Sequence, residues 1–192
     1  MSRTLSTMMP LGTELPGFEL AAPDGSRWGT AAAAGAPGLL VMFLCNHCPF
    51  VVHIGRELGL LTQRWAARGL GVVALNSNDT DAYPADAPEK MAPTARSFGW
   101  DFPYLVDEGA EVAIAFRAAC TPDFFLFGGD RTLVYRGRFD AARPGNDTPV
   151  TGGDLRLAVN AVFDGTPVPS EQAPSMGCNI KWPPGREPDW FG

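Results

Sequence analysis

The sequence predicts an α/β fold: a central mixed β-sheet flanked by helices, with an N-terminal β-hairpin and an extended C-terminal tail. Three observations carry this. Two continuous apolar runs, GLLVMFL at 38–44 and LGVVALN at 70–76, read as central strands buried on both faces. A helix-length segment separates them, and such a strand-helix-strand crossover is right-handed and parallel. Two more apolar segments, DFFLFG at 123–128 and TLVYRGRF at 132–139, meet around GGDR as an antiparallel hairpin. The chain has 192 residues, enough for one well-buried core and too few for two of ordinary size. The expected organisation is a domain over 1–165 and a tail, 166–192, packed on the same domain.

The elements follow in order. FELAAPDGSRW, residues 18–28, alternates and then turns at Asp24-Gly25, the pattern of a hairpin. Ala31 to Ala34 is a short loop or single turn. From Pro49 to Arg68 the residues Val52, Leu58, Leu61 and Trp65 recur at helical spacing, although Gly55 and Gly59 weaken it. Residues 79–89 are a polar, Pro-rich loop. A helix is then entered at Asp86 or Ala87, with Pro88 in its first turn, and runs to about Phe98, bent or shortened by Pro93. FPYLVD, 102–107, is a short strand. AEVAIAFRAA, 110–119, is a helix with Val112, Ala115 and Phe116 on one face. The last helix spans 152–165, with Asp154 as candidate cap, Leu155, Val159 and Val162 as the apolar stripe and Gly165 as terminator. The tail holds six of the 18 prolines, and Ile180, Trp182, Trp190 and Phe191 are the residues to pack it down.

Composition excludes several function classes. With 45% hydrophobic and 19% charged residues, the chain is that of a folded globular protein. A net charge of −6 without a Lys/Arg cluster argues against a nucleic-acid partner. The first twenty residues lack an apolar run behind basic residues, and nowhere do ~20 apolar residues run together, so neither a signal peptide nor a membrane partner is expected. The expected compartment is cytoplasmic, and nothing in the sequence fixes the oligomeric state.

The chemistry centres on FLCNHCPF, residues 43–50. Cys45 stands where a buried strand ends and a helix begins, among unpaired N–H groups and the positive end of the helix dipole, which favour a thiolate. Cys48 lies one turn further on the same face, within disulfide reach. The expected roles are attack by Cys45 and resolution by Cys48. Pro49 marks the first turn, where no N–H bond is lost. His47 either supports the Cys45 thiolate or simply faces solvent. Haem attachment is excluded because Pro49, not His, follows Cys48. There is no second close cysteine pair, and His53 is the only other nitrogen nearby, so neither metal nor cofactor is expected.

The second element is CTPDFFLF, 120–127. A cis Thr121-Pro122 bond before this strand would set a backbone loop beside the dithiol, with main-chain groups free to pair with an extended peptide. Cys120 lies near this end, and Cys178 lies in the tail. The two could bridge each other, Cys178 could be an additional resolving thiol, or each is a small buried hydrophobe. Asn76, Asn78 and Asp79 of NSND read as capping and turn residues, at a place where open α/β sheets put ligand loops.

FLCNHCPF and the later Thr-Pro before FFLF resemble the thioredoxin superfamily. FELAAPDGSRW, NSNDTDAYPADAPEKM, CTPDFFLF, LVYRGRFD and GCNIKW are similar to the peroxiredoxin-like branch of the alkyl hydroperoxide reductase/thiol-specific antioxidant, or redoxin, family, from about Leu15 to Pro188. The resemblance implies a thioredoxin-like sheet, Cys45 as nucleophile, Cys48 as resolving thiol and Pro122 as cis-proline. Two departures matter. The P-x-x-x-T-x-x-C pattern of peroxiredoxins, laid on Cys48, meets Val41 and Cys45 in place of Pro and Thr, and residues 39–44 carry no buried acid to relay protons. The leading expectation is thus a thiol-disulfide oxidoreductase in cellular redox homeostasis. Its partners would be a disulfide-containing protein or small molecule and a thiol electron donor. An antioxidant thiol peroxidase using Cys48 or Cys45 is the alternative, and a non-catalytic binding module the third.

Overall fold

In the computed structural model, which describes residues 3–191, the two apolar runs lie side by side at the middle of a seven-stranded sheet. The strands are β1 (Arg3–Leu5), β2 (Glu19–Ala21), β3 (Arg27–Gly29), β4 (Gly38–Phe43), β5 (Gly71–Asn76), β6 (Tyr104–Val106), β7 (Cys120–Thr121), β8 (Asp123–Gly128), β9 (Leu133–Gly137) and β10 (Met176–Asn179). The helices are α1 (Pro49–Ala67), α2 (Pro88–Phe98), α3 (Glu111–Ala115) and α4 (Gly153–Asp164). The main sheet runs β3-β2-β6-β5-β4-β8-β9. Its β4-β5 and β5-β6 pairs are parallel, joined through α1 and α2, and the flanking pairs are antiparallel. The sheet is therefore mixed, as the hairpin and crossover signals require.

Every residue of β4 is buried because the strand faces apolar layers on both sides. Leu40 and Met42 point toward α1 and α4, with Leu58, Trp65, Leu155 and Val159. Leu39, Val41 and Phe43 point the other way, toward Val112, Phe116 and Phe125. Alternation along a fully buried strand thus divides the core into two layers.

Several expectations change in detail. The glycines of α1 mark where it meets α2: a Cβ on Gly55 would lie 2.7 Å from the Phe98 ring, and one on Gly59 2.4 Å from the Phe98 carbonyl oxygen. Val52, assigned to the buried stripe, is exposed, whereas Leu58, Leu61 and Trp65 are buried. Pro93 does not end α2; it lies on the exposed side, where water can satisfy the carbonyl its missing N–H leaves free. The 110–119 helix shortens to α3, and Ala115 is exposed while Ala113 takes its place inside. Asp154 is not a cap: Gly152 occupies that position, and Asp154 pairs with Arg138 from inside the first turn.

A second, three-stranded sheet, β1-β10-β7, was not anticipated. In it the tail strand β10 is clamped between the N-terminal strand and the two residues before Pro122. Beyond it Ile180 is fully buried, and Trp182 stacks edge-on against Trp190 and Phe191. No helix among the described residues is long and apolar enough to cross a membrane.

Candidate active site

β4 ends at Phe43, and α1 begins at Pro49 with Cys48 as its N-cap residue. The intervening turn carries both cysteines, which are closed off from water: Cys45 is 1% and Cys48 0% exposed. Their thiols face each other closely enough for each to shift the other's ionisation. The Thr121-Pro122 peptide is cis and its loop lies directly against the pair. Thr121 Oγ1 is 3.3 Å from Cys45 Sγ, and the Thr121 carbonyl accepts from Cys48 Sγ at 3.2 Å.

The downward shift falls on the Cys48 thiol, whereas the sequence placed the favoured thiolate at Cys45. The Cys45 thiol donates to Cys48, and this contact is the largest cause bringing the Cys48 thiol down to about 5. Burial opposes it, while the Cys178 thiol and the amides of Val51 and Cys178 add to it. No side chain closes the N-terminus of α1 with a capping hydrogen bond, so its first-turn N–H groups act on the Cys48 sulfur as an unneutralised positive field. Cys45 is pushed well above the ordinary thiol range, first by its donation to Cys48, then by burial and by the Asp86 carboxylate. The physical reason for the reversal is position: Cys48 is the N-cap, and Cys45 sits one turn before it beside a carboxylate.

Asp86 is the residue that sequence reasoning missed. Expected only as a helix entry, it is fully buried in a turn ahead of α2. It accepts from the Asn46 amide at 2.8 Å and from Asn78 Nδ2 at 2.7 Å, and stands 2.9 Å from His47 Nδ1. His47 is thus turned toward Asp86. Asn76 Nδ2 donates to the Asp86 carbonyl, which gives the NSND segment its role as a brace for this acid. Cys45, His47 and Asp86 place one donor atom each within 4.8 Å of one another, a sulfur, nitrogen and oxygen set that zinc accepts. The expectation of no metal rested on cysteines and histidines alone and did not count this carboxylate. Both Asp86 oxygens already accept protein N–H groups, so it is occupied as an anchor of the turn. A second buried acid, Asp123, lies on β8 opposite Phe43, and burial pushes its carboxyl well above the usual carboxylate range. No signal in β4 itself could have revealed either.

The register of β10 on β7 decides the other two cysteines. Cys178 is directly opposite Thr121, and Asn179 opposite Cys120. Directly paired residues share a face, and neighbours along a strand alternate. Cys178 therefore points with Thr121 toward the dithiol, and Cys120 points away, fully buried and with its thiol raised well above the usual range by that burial. A Cys120–Cys178 bridge, one of the options considered above, is excluded by this geometry.

The Redoxin family model matches residues 10–154, which hold the dithiol, Asp86 and the Thr121-Pro122 loop. The chain belongs to the Redoxin family. Among solved structures, this redoxin is 48% identical to a hypothetical protein from Sinorhizobium meliloti 1021, over 95% of its own length and 100% of that chain, with a TM-score of 0.93. It is 46% identical to an uncharacterized conserved protein from Geobacillus kaustophilus, over 96% and 98%, again at 0.93. A thioredoxin family thiol:disulfide interchange protein from Chlorobium tepidum TLS, at 17% identity, covers 81% of the redoxin and 99% of itself with a TM-score of 0.62, which shows the shared thioredoxin-like fold. No curated protein matches.

Beside the dithiol the redoxin carries a groove of about 180 Å³ between the start of α1 and the tail, lined by Phe50, Pro122, Arg138, Arg143 and Met176 among others. It borders Pro122 without reaching either buried sulfur.

Proposed function

We propose that this redoxin is a thiol-disulfide oxidoreductase in which Cys48 attacks and Cys45 resolves. The observation that carries the reading is the buried pair of thiols at the N-terminus of α1, seated on the Thr121-Pro122 loop, with the Cys48 thiol lowered and the Cys45 thiol raised. The Cys48 thiolate attacks one sulfur of a substrate disulfide, the substrate S–S bond breaks, and a thiolate leaves. Cys45 then gives up its proton to water and attacks Cys48, whose bond to the substrate sulfur breaks. The products are the Cys45–Cys48 disulfide and a second substrate thiol. Two electrons have passed to the substrate, and an external dithiol returns them. Disulfides of proteins or small molecules both satisfy this chemistry. Trapping in a Cys178→Ser background, where the tail thiol cannot release the substrate, tests it: Cys45→Ser accumulates a mixed disulfide through Cys48, and Cys48→Ser accumulates none. Accumulation in Cys48→Ser alone would restore the opposite roles.

The depressed Cys48 thiol also supports a second reading, reduction of a hydroperoxide at that sulfur. The thiolate takes the terminal peroxide oxygen to become a sulfenic acid, the alcohol departs, and Cys45 condenses with the sulfenic acid to release water. Stopped-flow oxidation by hydrogen peroxide and by an alkyl hydroperoxide decides it; a rate no greater than that of a free thiol excludes peroxidase activity.

A further inference from the structure

We propose that Cys178 is a third redox thiol of this site, which exchanges with the Cys45–Cys48 disulfide to leave Cys48 bridged to Cys178 and Cys45 reduced. The inference rests on the dithiol reading above and adds a step to it.

Three observations carry it. The first is placement. Cys178 is opposite Thr121 in the β10-β7 pair and shares the face on which Thr121 touches Cys45, and both its thiol and its amide bond to the Cys48 sulfur. The second is how tightly that placement is built. Gly177 runs so close to β7 that a Cβ there would lie 1.9 Å from the Thr121 carbonyl oxygen, so the strand seats only with glycine at this position. β10 also fills the Thr121 edge, the main-chain edge that an extended peptide would need for strand addition. What lies against the dithiol is thus the chain's own cysteine, presented as a substrate cysteine would be. The third is access. Cys178 is 6% exposed, against 1% and 0% for Cys45 and Cys48, so of the three it is the least closed off from water.

The exchange balances within the chain. Cys178 loses its proton to water and attacks Cys48, the Cys45–Cys48 bond breaks, and Cys45 leaves as a thiolate that is reprotonated. One S–S bond forms and one breaks, so no oxidant is consumed. The step is also gated by oxidation. In the reduced site burial, followed by the contact with the Cys48 anion, holds the Cys178 thiol up at about 12. Once Cys48 is in a disulfide that anion is gone, and nearby Lys181, which favours the Cys178 thiolate, acts unopposed by it.

The test is disulfide mapping by non-reducing peptide mass spectrometry after native oxidation with diamide, on the wild type, Cys45→Ser, Cys178→Ser and Gly177→Ala, each first checked for folding by circular dichroism. The expected result is a Cys48–Cys178 bridge as the main product of Cys45→Ser and a Cys45–Cys48 bridge in Cys178→Ser. Gly177→Ala keeps every thiol but displaces β10, so its Cys48–Cys178 yield falls about tenfold or more as the effective concentration of Cys178 drops, with Cys45–Cys48 unaffected. If Cys45→Ser leaves Cys178 fully alkylatable while Cys178→Ser still forms Cys45–Cys48, the exchange is overturned and the dithiol reading survives. If Cys178→Ser forms no Cys45–Cys48 bridge, the dithiol reading fails and the exchange with it.

Discussion

Cys48 and Cys45 differ by three positions and by the sign of their response to the same environment. The spacing was legible in FLCNHCPF, as was the helix start at Pro49. The direction of the two shifts was not, because it rests first on the contact between the two thiols, then on burial, and for Cys45 also on Asp86, forty positions downstream of Asn46, whose burial no local pattern announces. The 240 nm thiolate absorbance of the reduced protein should titrate near pH 5, disappear in Cys48→Ser and move to higher pH in Cys45→Ala, which removes the largest stabilising donor. A midpoint in the ordinary thiol range near 8.5 would refute the placement. The same shift is linked to stability. Because the folded thiol of Cys48 is depressed, its contribution is fully present above the unfolded thiol range and is lost as pH falls toward about 5. Between those limits the reduced protein should gain stability with rising pH, and Cys48→Ser should flatten the slope.

At the scale of the element, the long buried strands and α1 were readable because each carries its own period, whereas β1, β7 and β10 are two to four residues long and exist only through pairing across the chain. Strands of that length show no alternation to detect. The glycines of α1 are the instructive case: read alone they lower helix propensity, yet they are what lets α2 approach. Gly59→Ala gains propensity and loses the contact. A methyl 2.4 Å from a backbone oxygen forces helix displacement, at a cost of about 1–3 kcal/mol. The melting temperature should therefore fall by roughly 3–10 °C, measurable by calorimetry; a rise would show that propensity dominates.

For the molecule as a whole, the class and the central parallel strand pair followed from the runs of apolar residues, since a chain of this size has few ways to bury them. How the tail is used did not follow, because Pro-rich segments carry no period. We propose that residues 166–192 belong to the same cooperative unit as 1–165. β10 joins β1 to β7, Lys181 accepts from Asp79 and donates to Asn78, and Ile180 donates to Ala119. Truncation after Gly165 should lower the melting temperature and raise the rate at which iodoacetamide modifies Cys48. An unchanged alkylation rate would mean that the tail does not shield the site.

The clamp of β10 between β1 and β7 also has a meaning in biosynthesis. Cys45 and Cys48 are translated well before the strand that covers them, on the order of ten seconds ahead of it at about 5–20 residues per second. During that interval the nascent chain carries an uncovered dithiol, and the first further cysteine that its own synthesis brings to this face is Cys178.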